Sequence, residues 1–171
     1  MASRRTSILV SILFTILGGP GFVLVYLPWW MTHFRVPAEE PLGQKLVAAA
    51  MIASGLIPLF TSMLRFITEG RGTLVPAVPT ERLVVSGLYR YVRNPMYVGV
   101  LTALAGETML LATRQMVNYL IVVFILMHLF VVLYEEPTLA HRHREDYQRY
   151  KRNVPRWLPR ITPWNDSDSA K

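Results

Sequence analysis

The chain contains no cysteine, which excludes a disulfide framework, a thiolate nucleophile and a cysteine-ligated zinc. Histidine is scarce as well, with four copies. His141 and His143 are two residues apart, so they splay across a helix, and no third ligand accompanies them. No metal site is expected. Internal repeats and low-complexity linkers are also missing, so the 171 residues read as one unit. Charged residues make up 17% of the chain against 52% hydrophobic, with a mean hydropathy of +0.31, too apolar for an ordinary soluble domain of this length. The net charge is nevertheless +7, so basic groups concentrate outside the apolar segments. Such a surface suits anionic lipid head groups or an anionic ligand better than nucleic acid.

What is present in quantity is long apolar sequence. Residues 8–30, 45–66, 96–112 and 117–134 approach the roughly 20 residues a membrane helix needs. The third is short and requires snorkelling ends or a thinned bilayer. The predicted fold is all-α: an integral membrane bundle of about four transmembrane helices plus a C-terminal cytosolic amphipathic helix. Residues 1–66 would carry two N-terminal spans, 67–160 a core of two spans and the C-terminal helix, and 161–171 a polar tail. Trp29, Trp30 and Tyr119 stand near span ends, as interfacial aromatics do. The GGPG run at 18–21 interrupts the first span and Pro58 the second, read as kinks and close helix packing.

Basic residues set the expected orientation. Arg4 and Arg5 precede the first span, and Arg65, Arg71, Arg82, Arg90 and Arg93 crowd the middle loop, whereas the opposite loops offer little besides Arg35 and Arg114. Both termini and the middle loop are thus expected on the cytoplasmic side. Ser3, Arg4 and Arg5 loosely resemble a twin-arginine signal, but the apolar run is long and no A-x-A-like site follows. An uncleaved first span is expected.

Between the second and third spans lies GLYRYVRNPMYVG, residues 87–99. Asn94 followed by Pro95 is a helix-start signal, with Asn as N-cap and Pro at the first helical position. The unpaired N–H groups there would attract acceptors on a ligand. Gly99, Ala103 and Gly106 recur at near-helical spacing, a face that another helix or a ligand can approach closely. Taken alone, this strip is a capped helix flanked by orienting arginines.

The fourth span runs into YEEP, residues 134–137. His128, Val132 and Glu135 would share one helical face, while Glu136 points about 100° away, so the two carboxylates would address different groups. Pro137 is expected to start a new helix. Glu107, about 18 Å along the third span from Pro95, calls for a partner or a task in the membrane; Arg114 could reach back to it, and structural pairing is favoured over a direct substrate role. From Thr138 to Asn153, Leu139, His143, Tyr147 and Tyr150 recur every three or four residues among basic side chains, an amphipathic surface helix.

Together, GLYRYVRNPMYVG, YEEP and YQRYKRNVPRWLP (residues 147–159) resemble the isoprenylcysteine carboxyl methyltransferase and phospholipid methyltransferase superfamily over roughly residues 66–160, including GRGT at 70–73. The first two spans match only as generic membrane helices. The resemblance implies an S-adenosylmethionine-dependent enzyme whose cofactor sits at the cytosolic face. By position it assigns Arg93, Asn94, Pro95, Tyr97, Gly99, Glu135, Glu136 and Tyr147 to the cofactor. Tyr150 and Arg156 fall in the motif that closes the site. It implies a lipophilic or lipid-modified acceptor reached from the bilayer, with Arg156, Glu135 and His128 as candidate catalytic groups: a cation to hold a carboxylate, or a base for an amine. Many members have His at the position of Asn94, and many have Phe-Gly where this chain has His143 and Arg144. Two other classes compete: an NADPH-dependent reductase of the membrane sterol type, and a non-catalytic protein binding membrane lipids or a partner through its basic tail.

Overall fold

The computed structural model describes residues 19–69, with side chains through Arg65, and residues 83–165. Among them every regular element is helical. Residues 8–18 of the first predicted span, the GRGT approach and the end of the polar tail lie outside the described residues. Helix α1 includes a π-helical turn, Phe22–Tyr26, and continues as Leu27–Thr32. It ends where His33 and Phe34 adopt positive φ, with Thr32 Oγ1 donating back to Pro28 O at 2.7 Å. Helix α2, Leu42–Glu69, contains Pro58. A 3-10 turn, Gly87–Arg90, leads to α3, Pro95–Leu111. Helix α4, Arg114–Phe130, is capped by Thr113 Oγ1, which accepts from Met116 N at 3.3 Å. A π turn, Val131–Glu135, joins it to α5, Glu136–Asn153.

Two helical stretches, Leu42–Arg65 and Arg114–Asn153, are long and apolar enough to cross a membrane, while Phe22–Thr32 and Pro95–Leu111 are shorter. The large apolar side chains of α4, including Ile121, Val122, Ile125, Leu126 and Leu129, are exposed. A water-facing helix would not carry such a face, but a lipid-facing one does.

The tightest contact joins α2 to α3. A Cβ placed on Gly99 would lie 2.6 Å from Gly55 O, and one on Gly106 would lie 2.8 Å from Ala48 O. Small residues let the two backbones touch, and this contact sets where the N-terminus of α3 stands. Leu59, Met63, Val100, Leu104, Met116 and Val123 form the core around it. Gly99 is thus spoken for by helix packing.

The path out of α4 departs from the expected one. Pro137 starts no separate helix; the chain stays helical through the π turn. Proline cannot donate to the carbonyl four residues back and crowds it, and a π turn immediately upstream accommodates the mismatch. The turn also shifts the helical phase between His128 and Glu135, so the single face expected for them is not kept.

Helix α5 is broken inside. Arg144 has φ 42° and ψ −115°, a conformation that costs a side-chain-bearing residue. A straight helix would hold Glu136 and Lys151 about 22 Å apart, yet their charged ends are 3.1 Å apart. The chain therefore folds back at Arg144, and the expected continuous surface helix is a reversed pair of short ones. Within residues 161–165, Trp164 is tied down rather than loose: its ring is buried against Tyr150, and its main-chain N–H donates to Arg90 O at 2.9 Å.

Candidate active site

Glu136, at the head of α5, is the hub of the site, its side chain 8% exposed. Arg93 Nη1 donates to its Oε1 at 2.8 Å. Arg156 donates through Nε to Oε1 at 2.6 Å and through Nη2 to Oε2 at 3.0 Å. Lys151 Nζ completes the set at Oε2, 3.1 Å away. Burial pushes the Glu136 carboxyl upward in pKa, but the hydrogen bonds from Arg156 and Lys151, with the charge of Arg93, outweigh it and hold the group below the usual carboxylate range. The same contact raises Arg156. The Tyr147 hydroxyl accepts from Arg93 Nη1 at 3.5 Å. Burial and the nearby Glu136 charge push that phenol up to about 12, so it stays protonated.

Three separate segments deliver these groups. The strip after the 3-10 turn is laced to the C-terminal segment by main-chain bonds: Arg93 N to Pro155 O, Arg160 N to Tyr91 O and Trp164 N to Arg90 O, each 2.9 Å. Tyr150 Oη donates to Tyr89 O at 2.7 Å. Arg90 secures the end of the segment through Trp164 O and Asn165 Oδ1. Asn94 occupies the N-cap position of α3, but its side chain makes no cap bond there. Instead its Nδ2 donates to Arg156 O at 3.2 Å, so it positions Arg156, a role helix-start statistics do not suggest. Pro95 follows, buried in the first turn of α3.

Glu135 and Glu136 do address different groups, as the 100° offset implies. Glu135 Oε2 accepts from Tyr97 Oη at 3.1 Å, away from the guanidinium cluster. His128 has another occupation: its Nδ1 accepts from Trp157 Nε1 at 3.1 Å, with the two rings stacked. That contact engages the Nδ1 lone pair with the indole N–H. His128 is thus Trp157's partner in this structure. Arg114 does not pair with Glu107. Among the described residues no bond joins them, and Glu107 Oε2 is buried without a hydrogen-bond partner.

The structure brings together Arg93, Glu136, Tyr147 and Arg156, which the sequence had singled out. Sequence reasoning missed Lys151 and Trp157. Lys151 stands four residues after Tyr147, a spacing that places both on one helical face, but only the reversal at Arg144 turns that face onto Glu136.

Residues 43–146, more than half of the chain, match the family described as "Phospholipid methyltransferase". The chain belongs to that family. The likeness therefore takes in α2, which the motifs alone did not include. The chain is also 30% identical over 122 residues to a protein-S-isoprenylcysteine O-methyltransferase of Schizosaccharomyces pombe, covering 70% of this chain and 46% of that protein. It thus spans about half the length of the curated relative it matches. No solved structure matches it. In this phospholipid methyltransferase family member, the Glu136 cluster is built where the match ends and the C-terminal segment folds back.

Proposed function

We propose that the chain is an integral membrane, S-adenosylmethionine-dependent methyltransferase acting on a lipophilic, membrane-resident acceptor, an isoprenylcysteine-type carboxylate or a lipid amine. The observation that carries this reading is the Arg93 guanidinium. One of its terminal nitrogens is engaged by Glu136 and Tyr147, while its Nε is buried with no partner. A buried donor of this kind calls for an acceptor, and an amino-acid carboxylate is a suitable one. Glu135, bound through Oε2 to Tyr97, supplies a carboxylate for a cationic or hydroxyl-bearing group. The donor set therefore fits the cofactor, with Arg93 and the start of α3 toward its carboxylate and Glu135 and Tyr97 toward its cationic part. When bound, the cofactor supplies an activated methyl group.

The chain's own work is alignment and exclusion of water. Glu136, held by three cations, keeps Arg93 and Arg156 in place. Arg156 can hold a carboxylate acceptor, which needs no base. An amine acceptor must lose a proton, and with His128 occupied by Trp157, Glu135 is the nearer candidate. The basic residues of the middle loop and C-terminal segment support a cytoplasmic position for this face.

The test mixes detergent-purified protein with methyl-labelled S-adenosylmethionine and a membrane lipid extract. Label entering the organic phase supports the reading; its release by mild base marks a methyl ester, and its resistance marks an amine or thiol. Unchanged cofactor binding in both Arg93→Ala and Glu135→Gln would refute the site.

A further inference from the structure

Residues 155–163 make an excursion from the strip that the active site does not account for. The segment leaves at Pro155, whose carbonyl accepts from Arg93, and returns at Arg160, whose N–H donates to Tyr91 O. Between them Arg156 turns in to Glu136, but Trp157 runs the other way, along α4. Its indole lies 6.0 Å from the His128 ring and 5.8 Å from that of Phe124. Phe124 is about 15 Å below Tyr134 at 1.5 Å per residue, well inside the apolar length of α4. Phe124 and its neighbours Ile121, Ile125 and Leu129 are themselves exposed, lipid-type surface.

The rest of the excursion is equally apolar and uncovered. Leu158 is 80% exposed and Ile161 is 99% exposed, with Arg156 and Arg160 beside them. Irregular backbone is costly at membrane depth because its N–H groups lack water. Here Pro155, Pro159 and Pro163 have none to satisfy. The one polar atom carried deepest, Trp157 Nε1, has its acceptor in His128.

We infer that Trp157, Leu158 and Ile161 form a wedge that enters the cytoplasmic leaflet of the bilayer beside α4, with lipid acyl chains as its occupant. This rests on the membrane reading of α4. It deepens the proposed function, because the wedge places the Arg156 end of the site within reach of a lipid-borne group. Continuity with the exposed face of α4 selects lipid over a second copy of the chain, and the flanking arginines suit an anionic headgroup layer.

The absence of cysteine makes the test direct. Single-cysteine variants Leu158→Cys and Ile161→Cys, with Leu126→Cys on α4 as bilayer control and Glu145→Cys as water control, are labelled with a fluorophore. They are reconstituted into phosphatidylcholine and phosphatidylserine vesicles with or without brominated acyl chains. Expected is loss of fluorescence to bromine at positions 158 and 161 comparable to that at 126, with iodide quenching only at 145. Iodide quenching at 158 and 161, or shielding from both quenchers as a protein contact would give, with 126 still quenched by bromine, overturns the wedge alone. Failure of bromine to quench at 126 overturns the membrane reading and the wedge with it.

Discussion

Arg93 and Arg156 converge on one oxygen, Glu136 Oε1, at 2.8 and 2.6 Å. Two guanidinium groups this close repel unless the carboxylate between them is charged, so Glu136 is the tie between the strip before α3 and the C-terminal segment. Glu136→Gln keeps the shape and removes the charge. Breaking a buried ion pair from one side costs roughly 3–5 kcal/mol, and the expected result is a clearly lower unfolding temperature in detergent, with cofactor binding lost. Lys151→Ala should cost far less, because its side chain is 42% exposed.

The same residue sets an acid limit. Its folded pKa lies below the unfolded value, so its stabilisation is fully present above about 4.3 and is lost as pH falls through the depressed folded value. Thermal unfolding measured from neutral pH downward should show a loss below the ordinary carboxylate range. That loss should be smaller in Glu136→Gln, and equal slopes in the two proteins would contradict the assignment.

Arg144 bears the strain of the reversal in α5. Glycine, lacking a Cβ, adopts positive φ without that cost. Arg144→Gly should raise stability by about 1 kcal/mol while preserving the contact of Lys151 and Tyr147 with the cluster. Arg144→Ala keeps the Cβ and should give no such gain, so calorimetry on the pair separates backbone relief from loss of the arginine's charge.

Gly99 tests the scaffold. A methyl there meets Gly55 O at 2.6 Å and Leu59 N at 2.8 Å, both backbone atoms that cannot yield alone. Gly99→Ala should cost about 1–3 kcal/mol. It should also weaken cofactor binding by displacing the start of α3. Unchanged stability would mean that α2 and α3 can part freely.

The sequence had much of this in plain sight. Helical class, the paired glutamates and the separate duties of Glu135 and Glu136 follow from composition and a 3.6-residue period, which are local properties. Asn94 does stand at the N-cap of α3, but the side-chain partners of Asn94 and His128, Arg156 O and Trp157 Nε1, arrive from far along the chain, where no local inference reaches. Gly99 shows the converse. Its spacing announced a close approach, but whether a helix or a ligand approached could be decided only by the position of Gly55.

By itself, the sequence determined which segments are helical and apolar, and which polar groups stand at their ends, because hydrophobic period and charge placement act over a few residues. Tertiary structure alone decided which cations reach Glu136. That choice depends on a π turn forced near Pro137, a reversal at Arg144 and a C-terminal segment laced onto the strip. Each of these is a long-range fit, and no local preference encodes it.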